Sequence, residues 1–204
     1  MLFDDTYLTI QNKAEGQFRD RGSRFLAYAY PLQGEDDIKG IIAQLKSEHP
    51  KAAHYCWAMR LGPDRSVFRI NDDGEPSGTG GRPILNVLLA KNLTNIIVVV
   101  VRYFGGTLLG VPGLINAYKT AAAEALPAAV IIEKMLKDVY QVSFGYLQTD
   151  QLMRLVKDEQ LDILQQQFDN RCTLMVAIRK TRVNQVLNKL ADINGVTAAF
   201  MRTV

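Results

Sequence analysis

Cysteine is the first residue type that this sequence has little of. Among 204 residues only Cys56 and Cys172 are cysteines, and they lie far apart. Such a pair indicates neither a disulfide framework nor a zinc cluster, and it fits a reducing compartment. Hydrophobic residues make up 48% of the chain, so we expect an ordinary packed core that needs no metal and no cross-link.

Long hydrophobic runs and a targeting segment are also missing. The longest apolar run, Ile96–Val101, is far shorter than the ~20 residues that cross a bilayer. The segment Met1–Asp5 carries two acids, whereas a signal peptide begins with basic residues. We therefore expect a cytoplasmic protein with no membrane partner.

A clear excess of basic residues is the third absence. The formal net charge is +3, and residues 1–136 contain 15 basic and 14 acidic side chains. Dedicated nucleic-acid-binding domains are usually more basic. Any contact with nucleic acid must therefore come from a local patch.

Glycine is unevenly distributed, which predicts two domains. Only Gly145 and Gly195 occur after residue 137. We assign a first domain to residues 1–130 and a second to residues 137–204. Residues 131–137 are expected to form a linker or the beginning of a strand.

Hydrophobic periodicity in the second domain predicts the order βαββαβ, the ferredoxin-like arrangement. Two helices would cover one face of the sheet and leave the other free to bind a partner. Asp169–Asn170 is expected to form a hairpin turn, and Thr181 to cap the second helix. The predicted strands are 139–144, 161–168, 172–178 and 196–201, and the predicted helices are 149–159 and 183–193.

The first domain also mixes strands and helices, so the whole chain is predicted to be α+β. Ile96–Val101 is apolar and β-branched without alternation, which is typical of a buried strand. The other predicted strands are 7–10, 25–30, 53–61 and 66–70, and the predicted helices are 35–48, 84–91 and 114–126.

Two glycine-rich segments, residues 71–83 and 102–113, each join a strand to a helix. Each places a proline, Pro83 or Pro112, near the helix start, where proline is tolerated. Glycines allow a ligand to approach the backbone, and the first amides of a helix attract anions. Flanking arginines and aromatic rings would contact phosphates and stack on bases. The candidate ligand- or nucleic-acid-binding residues are Arg82, Arg102, Tyr103, Phe104, Gly105, Gly106, Gly78, Gly81, Asp73 and Glu75.

A purely structural interpretation of these segments remains open. Glycines also serve tight turns, and either arginine would pair with an acid of the first segment. That segment offers Asp72, Asp73 and Glu75, which are also candidates for acid–base chemistry or Mg²⁺ binding. Adjacent acids point in different directions, however, and neither segment matches a Walker A or GxGxxG motif. We expect no metal and no cofactor. His54 and Cys56 are expected in the core.

The two segments together resemble the signature of the YigZ/IMPACT family. The matching stretches are Asp72–Leu85 and Val99–Gly110, and Gly22–Phe25 resembles the family's N-terminal Ser-x-Phe region. The resemblance covers the first domain closely and the second in length and element order. It implies that the first domain is similar to the second domain of ribosomal protein S-five, and that the ferredoxin-like second domain is similar to domain five of elongation factor G.

The resemblance also implies a function. For bacterial members it implies nucleic-acid binding or action near the ribosome. Eukaryotic IMPACT proteins regulate translation and carry a different extra domain, so that specific role is not carried over. Asn116 departs from the family's usual Gly-Gly-Leu-Val-Arg-Ala-Tyr stretch by replacing a positive charge, which removes one candidate phosphate contact.

We therefore expect a translation-associated or RNA-binding regulatory protein whose partner is RNA or the ribosome. Basic residues of the second domain would contribute, namely Arg171, Arg179, Lys180 and Arg182. Two alternatives stay open. One is an enzyme acting on a phosphorylated or acidic small molecule at the glycine-rich segments, and the other is a protein-interaction module that uses the free sheet face.

Overall fold

The computed structural model describes residues 5–168 and 172–204. The chain divides into two compact units. The larger unit spans Tyr7–Lys134, and the smaller unit combines the residues up to Thr6 with Met135–Val204. None of the helices in the described part of the chain combines the length and the hydropathy of a membrane-spanning helix.

Seven strands and three α-helices lie between Thr6 and Met135. The segment that was expected to be a linker or strand entry is a strand, β7, which pairs with the first strand. Both glycine-rich segments lead into helices, as predicted. The elements are β1 (Thr6–Ile10), β2 (Ala14–Asp20), β3 (Ser23–Pro31), α1 (Asp37–Glu48), β4 (His54–Leu61), β5 (Val67–Asn71), α2 (Gly81–Ala90), β6 (Ile96–Tyr103), α3 (Gly110–Ala125) and β7 (Ile131–Met135).

Strand β6 is the centre of a five-stranded sheet with the order β2-β3-β6-β4-β5. Its neighbours β3 and β4 both run antiparallel to it. Ile96, Val98 and Val100 pack with α2 and α3, whereas Ile97 and Val99 pack with α1. The predicted buried strand is therefore confirmed, and its apolar run is continuous because helices cover both faces of the sheet.

Strand β2 gives little signal in the sequence. It is an edge strand with the sequence AEGQFRD, in which polar residues and a glycine outnumber the apolar ones. The glycine has a packing role, because a Cβ atom on Gly16 would lie 2.3 Å from the backbone nitrogen of Ala125 in α3. The strand is thus defined by its pairing with β3 and its closeness to α3 rather than by intrinsic propensity.

The smaller unit has the predicted ferredoxin-like order βαββαβ, which confirms the α+β class. Its sheet order is β11-β8-β10-β9, with every paired strand antiparallel. Both helices pack against one face of this sheet. The predicted turn at Asp169–Asn170 and the basic residue Arg171 lie outside the described residues. The elements are β8 (Lys137–Phe144), α4 (Thr149–Asp158), β9 (Asp162–Gln167), β10 (Cys172–Arg179), α5 (Val183–Ala191) and β11 (Thr197–Thr203).

A buried carboxylate at Asp5 organises one end of the smaller unit. Asp5 is 3% exposed, and it accepts hydrogen bonds from Arg179 Nε at 2.7 Å and from Thr181 Oγ1 at 2.6 Å. These bonds hold the pKa of Asp5 well below its usual range. The predicted capping role of Thr181 is wrong, because its hydroxyl is bound to Asp5 and no side chain caps α5.

Replacing Gly16 with alanine is expected to destabilise the protein by about 1–3 kcal/mol, because the added methyl group overlaps the backbone of α3. Urea unfolding followed by circular dichroism measures the change. Gly40→Ala is the matched control. Gly40 lies in α1 with open space around its Cβ position, so alanine there should add roughly 0.5–1 kcal/mol of stability. Two substitutions with the same effect would contradict the close packing of β2 on α3.

Asp5→Asn is expected to cost stability at pH 7 and less in acid. Because the folded-state pKa of Asp5 is lowered, its carboxylate adds stability above its unfolded pKa of about 4, and that contribution is lost as the pH falls below this value. The gap in free energy of unfolding between wild type and variant should narrow by ~1 kcal/mol from pH 5 to pH 3. The exposed Asp158→Asn is the control. A gap that does not change with pH would contradict the prediction.

Candidate functional site

The first glycine-rich segment folds around the carboxylate of Asp72. Its Oδ2 accepts a hydrogen bond from the amide of Gly78 at 2.8 Å, and its Oδ1 accepts bonds from the amides of Gly80 at 3.0 Å and Gly81 at 2.8 Å. The chain itself thus supplies the anion that the helix start attracts. The expectation that Gly78 and Gly81 present free amides to a ligand is corrected accordingly.

Asp73 is also turned towards the protein. Its backbone is left-handed, with φ of 42°, and its Oδ2 accepts a hydrogen bond from the amide of Tyr55 at 2.7 Å. Its carbonyl oxygen accepts a bond from His54 Nδ1 at 2.8 Å. Both contacts attach the segment to β4. Asp73 was expected to contact a ligand, but in the structure its carboxylate and carbonyl bind β4.

Glu75 and Arg102 join the two glycine-rich segments. Arg102 Nη1 donates to Glu75 Oε1 at 2.5 Å, and the Tyr118 hydroxyl donates to the same oxygen at 2.8 Å. Glu75 is 8% exposed and Arg102 is 5% exposed. Burial raises the pKa of Tyr118, so its hydroxyl remains a donor. The sequence left two roles open for Arg102, contact with a ligand or an ion pair with an acid of the first segment. The structure shows the ion pair.

The guanidinium of Arg102 is not completely satisfied by this pair. Its Nε is buried and has no hydrogen-bond partner among the described residues. The central carbon of the guanidinium, Cζ, lies 5.4 Å from the ring centroid of Phe25 and 5.5 Å from that of Phe104. The Arg102 guanidinium is therefore close to two aromatic rings, and its buried Nε–H group lacks an acceptor.

Cys56 belongs to the core beneath the first segment, as expected. The same expectation for His54 is wrong, because its side chain is 26% exposed. Cys56 is fully buried and its Sγ donates to the Asp72 carbonyl at 3.0 Å. Burial raises the pKa of this thiol, which keeps it protonated and unreactive. Across residues 5–168 and 172–204, no group of three or more His, Cys, Asp or Glu side chains is arranged to hold a metal ion.

The second glycine-rich segment packs against the turn between β2 and β3. A Cβ atom on Gly105 would lie 1.9 Å from the carbonyl carbon of Gly22, and the Gly105 amide donates to Ser23 Oγ at 3.2 Å. Gly106 has φ of +85° and is exposed. The local structure therefore explains why both positions are glycine. Gly105 packs too closely on Gly22 for a Cβ atom, and Gly106 has a left-handed backbone.

The two predicted aromatic residues differ in accessibility. Tyr103 is half-buried, its hydroxyl is hydrogen-bonded to His49 Nδ1 at 2.9 Å, and the Arg24 guanidinium lies 4.8 Å from its ring centroid. Its ring is thus covered by Arg24 instead of being open to a base. Phe104 is 50% exposed and keeps an accessible ring.

A group of three arginines surrounds the β2–β3 turn, and we name Arg19, Arg21 and Arg24 the arginine hairpin. Arg19 lies directly opposite Arg24 across the two strands. No described acid forms an ion pair with Arg19 or Arg21. Sequence patterns did not single out Arg19 and Arg21, because the opposition of Arg19 to Arg24 and the packing of Gly105 on Gly22 depend on strand register. The family match at Gly22–Phe25 was the one signal near them.

The remaining predicted basic residues divide between free and engaged side chains. Arg82 is exposed on α2, and Asn116 is exposed on α3. In the smaller unit, Arg179 is bound to Asp5 and Arg182 to Glu159, while Lys180 is exposed. Two of the basic residues expected to attract RNA are thus already engaged by buried acids.

A cavity of about 360 Å³ lies beside the Glu75–Arg102 pair. Most of its wall is apolar and comes from the second glycine-rich segment and the start of α3. Polar atoms enter it from the first segment, from β4 and from the end of β6. The lining residues are His54, Glu75, Pro76, Arg102, Phe104, Leu108, Leu109, Gly110, Val111 and Leu114.

Comparisons with known proteins agree with this two-unit α+β fold and its paired glycine-rich segments. Residues 21–126 match the family model described as the Impact N-terminal domain. An IMPACT family member from Haemophilus influenzae is 34% identical over 188 residues, which cover 91% of each chain. The IMPACT family member YigZ from Escherichia coli is 32% identical over 172 residues, or 83% of this chain and 84% of the relative.

A solved structure extends the likeness to the whole chain. A crystal structure described as that of a hypothetical protein has a TM-score of 0.73 and 28% identity to this chain, over 98% of this chain and 99% of the other. The chain belongs to the IMPACT family, which confirms the resemblance carried by the two glycine-rich segments.

Asp72→Ala is expected to destabilise the protein by about 3 kcal/mol or more, because three amides lose their shared acceptor and each unsatisfied donor costs ~1–3 kcal/mol. Urea unfolding gives the difference. Asp36→Ala, at an exposed position whose side chain makes no capping bond, should change stability by no more than ~0.5 kcal/mol. If the two variants proved equally stable, the carboxylate of Asp72 would not be the anion that closes this segment.

Proposed function

We propose that the protein is an RNA-binding member of the IMPACT family that acts in translation, and that its RNA-binding surface lies on the larger unit. The observation that carries the proposal is the arginine hairpin. Arg24 lies over the ring of Tyr103 in the second glycine-rich segment, Arg19 lies opposite Arg24, and Arg21 precedes Gly22, on which Gly105 packs. The three arginines are the kind of local basic patch that a protein with a net charge of only +3 needs for contact with a polyanion.

The placement of Arg19 opposite Arg24 has an electrostatic cost. Like charges directly opposite on an antiparallel pair destabilise the strands, and no described acid offsets the charge of Arg19. A phosphate group between the two guanidinium groups would remove the repulsion and accept charge-assisted hydrogen bonds from both. This arrangement favours an anionic ligand over a neutral one.

Phe104 adds a feature that a simple anion site would not need. It is half-exposed, and it immediately precedes Gly105, which packs on the hairpin turn at Gly22. An accessible aromatic ring beside backbone-binding arginines is the usual combination in proteins that bind single-stranded nucleic acid. Membership of the IMPACT family supports RNA as the nucleic acid and translation as the setting.

The enzymatic alternative has less support. It assigned acid–base or metal chemistry to Asp72, Asp73 and Glu75, yet each of these carboxylates accepts hydrogen bonds from the protein itself. A carboxylate that fixes a loop is poorly placed to exchange protons with a substrate. RNA binding is therefore the function that the geometry favours.

The double variant Arg19→Ala/Arg21→Ala should bind single-stranded RNA at least tenfold more weakly at low salt. Each lost phosphate contact should also reduce the slope of log affinity against log salt by about 0.7. Fluorescence anisotropy with a labelled 12-nucleotide RNA, repeated over a series of salt concentrations, measures both quantities.

Lys39→Ala/Lys91→Ala is the matched control, since it removes the same charge from two exposed positions elsewhere on the larger unit. It should retain most of the affinity and nearly the full slope. If both double variants lost affinity equally, binding would follow total charge and the arginine hairpin would not be the contact surface. If wild-type protein bound no RNA at low salt, the proposed function would be wrong.

A further inference from the structure

The cavity beside the Glu75–Arg102 pair contains an unusual combination of groups. Arg102 lines the cavity, is 5% exposed, and has a buried Nε that no described residue accepts from. A buried donor without an acceptor costs free energy, so such a group in a native protein calls for an explanation. A ligand atom that accepts from Arg102 would supply one.

The charge of the pair limits what that ligand atom can be. The positive charge of Arg102 is balanced by Glu75 at 2.5 Å, so a second anion at this point would meet a carboxylate as well as a guanidinium. A neutral acceptor, such as a carbonyl oxygen or an aromatic ring nitrogen, would satisfy the donor without that repulsion.

The rest of the cavity suits a flat and mostly apolar body. Leu108, Leu109, Val111 and Leu114 form much of its wall, and the half-exposed ring of Phe104 also borders it. Its volume of about 360 Å³ lies within the range of small-ligand sites. A flat aromatic ring with neutral acceptors on its edge is the chemistry of a nucleobase.

We propose that this cavity receives one unstacked base of a bound RNA strand, an inference that rests on the proposed RNA-binding function. The connection to the arginine hairpin runs through neighbouring residues, because Phe104 borders the cavity and the next residue, Gly105, packs on the hairpin turn. Phosphates would lie at the arginines and one base would leave the stack to enter the cavity, as is common in single-strand RNA recognition.

The test compares three RNA 12-mers, of adenosine, cytidine and uridine, with a ribose-phosphate 12-mer of equal charge that has no bases. Wild-type protein should bind at least one base-containing strand about 5- to 100-fold more tightly than the baseless strand, as expected for stacking of one base. Val111→Trp places a large ring at a half-exposed position of the cavity wall and should abolish this preference while the salt dependence stays unchanged.

Ile115→Trp is the matched control. It introduces the same side chain one turn further along α3, at a partly exposed position outside the cavity lining, and should keep the preference. Phe104→Ala is a second, milder variant that removes the bordering ring and should reduce the preference several-fold. A thermal melt of each variant confirms that it is folded.

The possible results separate the two proposals. If wild-type protein bound all four strands equally and with steep salt dependence, RNA binding would stand and the base-binding cavity would be overturned. A preference for bases that survived in both Val111→Trp and Phe104→Ala would also overturn it. Absence of binding to every strand would overturn the proposed function and this inference together.

Discussion

The ion pair between Glu75 and Arg102 is the contact on which the geometry of the site depends. Glu75 belongs to the first glycine-rich segment, Arg102 to the end of β6, and Tyr118 to α3, so one carboxylate oxygen connects three elements. A buried ion pair adds little net stability, but loss of either partner leaves a buried charge at a cost of ~3–5 kcal/mol. The pair therefore acts mainly by fixing where the two segments stand.

That constraint lets two segments of similar composition serve different purposes. The first segment folds around Asp72, whose carboxylate accepts hydrogen bonds from three backbone amides of the segment. The second places its close-packed glycine on the arginine hairpin and leaves Phe104 exposed beside a cavity. In our proposal, the surface of the larger unit that contacts the partner is therefore the second segment with its neighbouring hairpin.

Sequence patterns predicted what depends on local order and missed what depends on register. The βαββαβ order, the buried run Ile96–Val101 and the family signature could all be read from spacing and residue type. Strand β2 could not, because its Gly16 and polar residues carry no strand signal until β3 and α3 pack against it. The opposition of Arg19 and Arg24 likewise exists only once the hairpin has formed, and the capture of three amides by Asp72 depends on the path of the loop.

The central claim is that RNA contacts the arginine hairpin and Phe104. Photo-crosslinking of the full chain to RNA containing 4-thiouridine, followed by mass spectrometry of the crosslinked peptides, tests this without any substitution. We expect crosslinks at Phe104 and within residues 19–24, and their loss when the salt concentration is raised. Crosslinks confined to residues 137–204, or spread evenly over the surface, would contradict it.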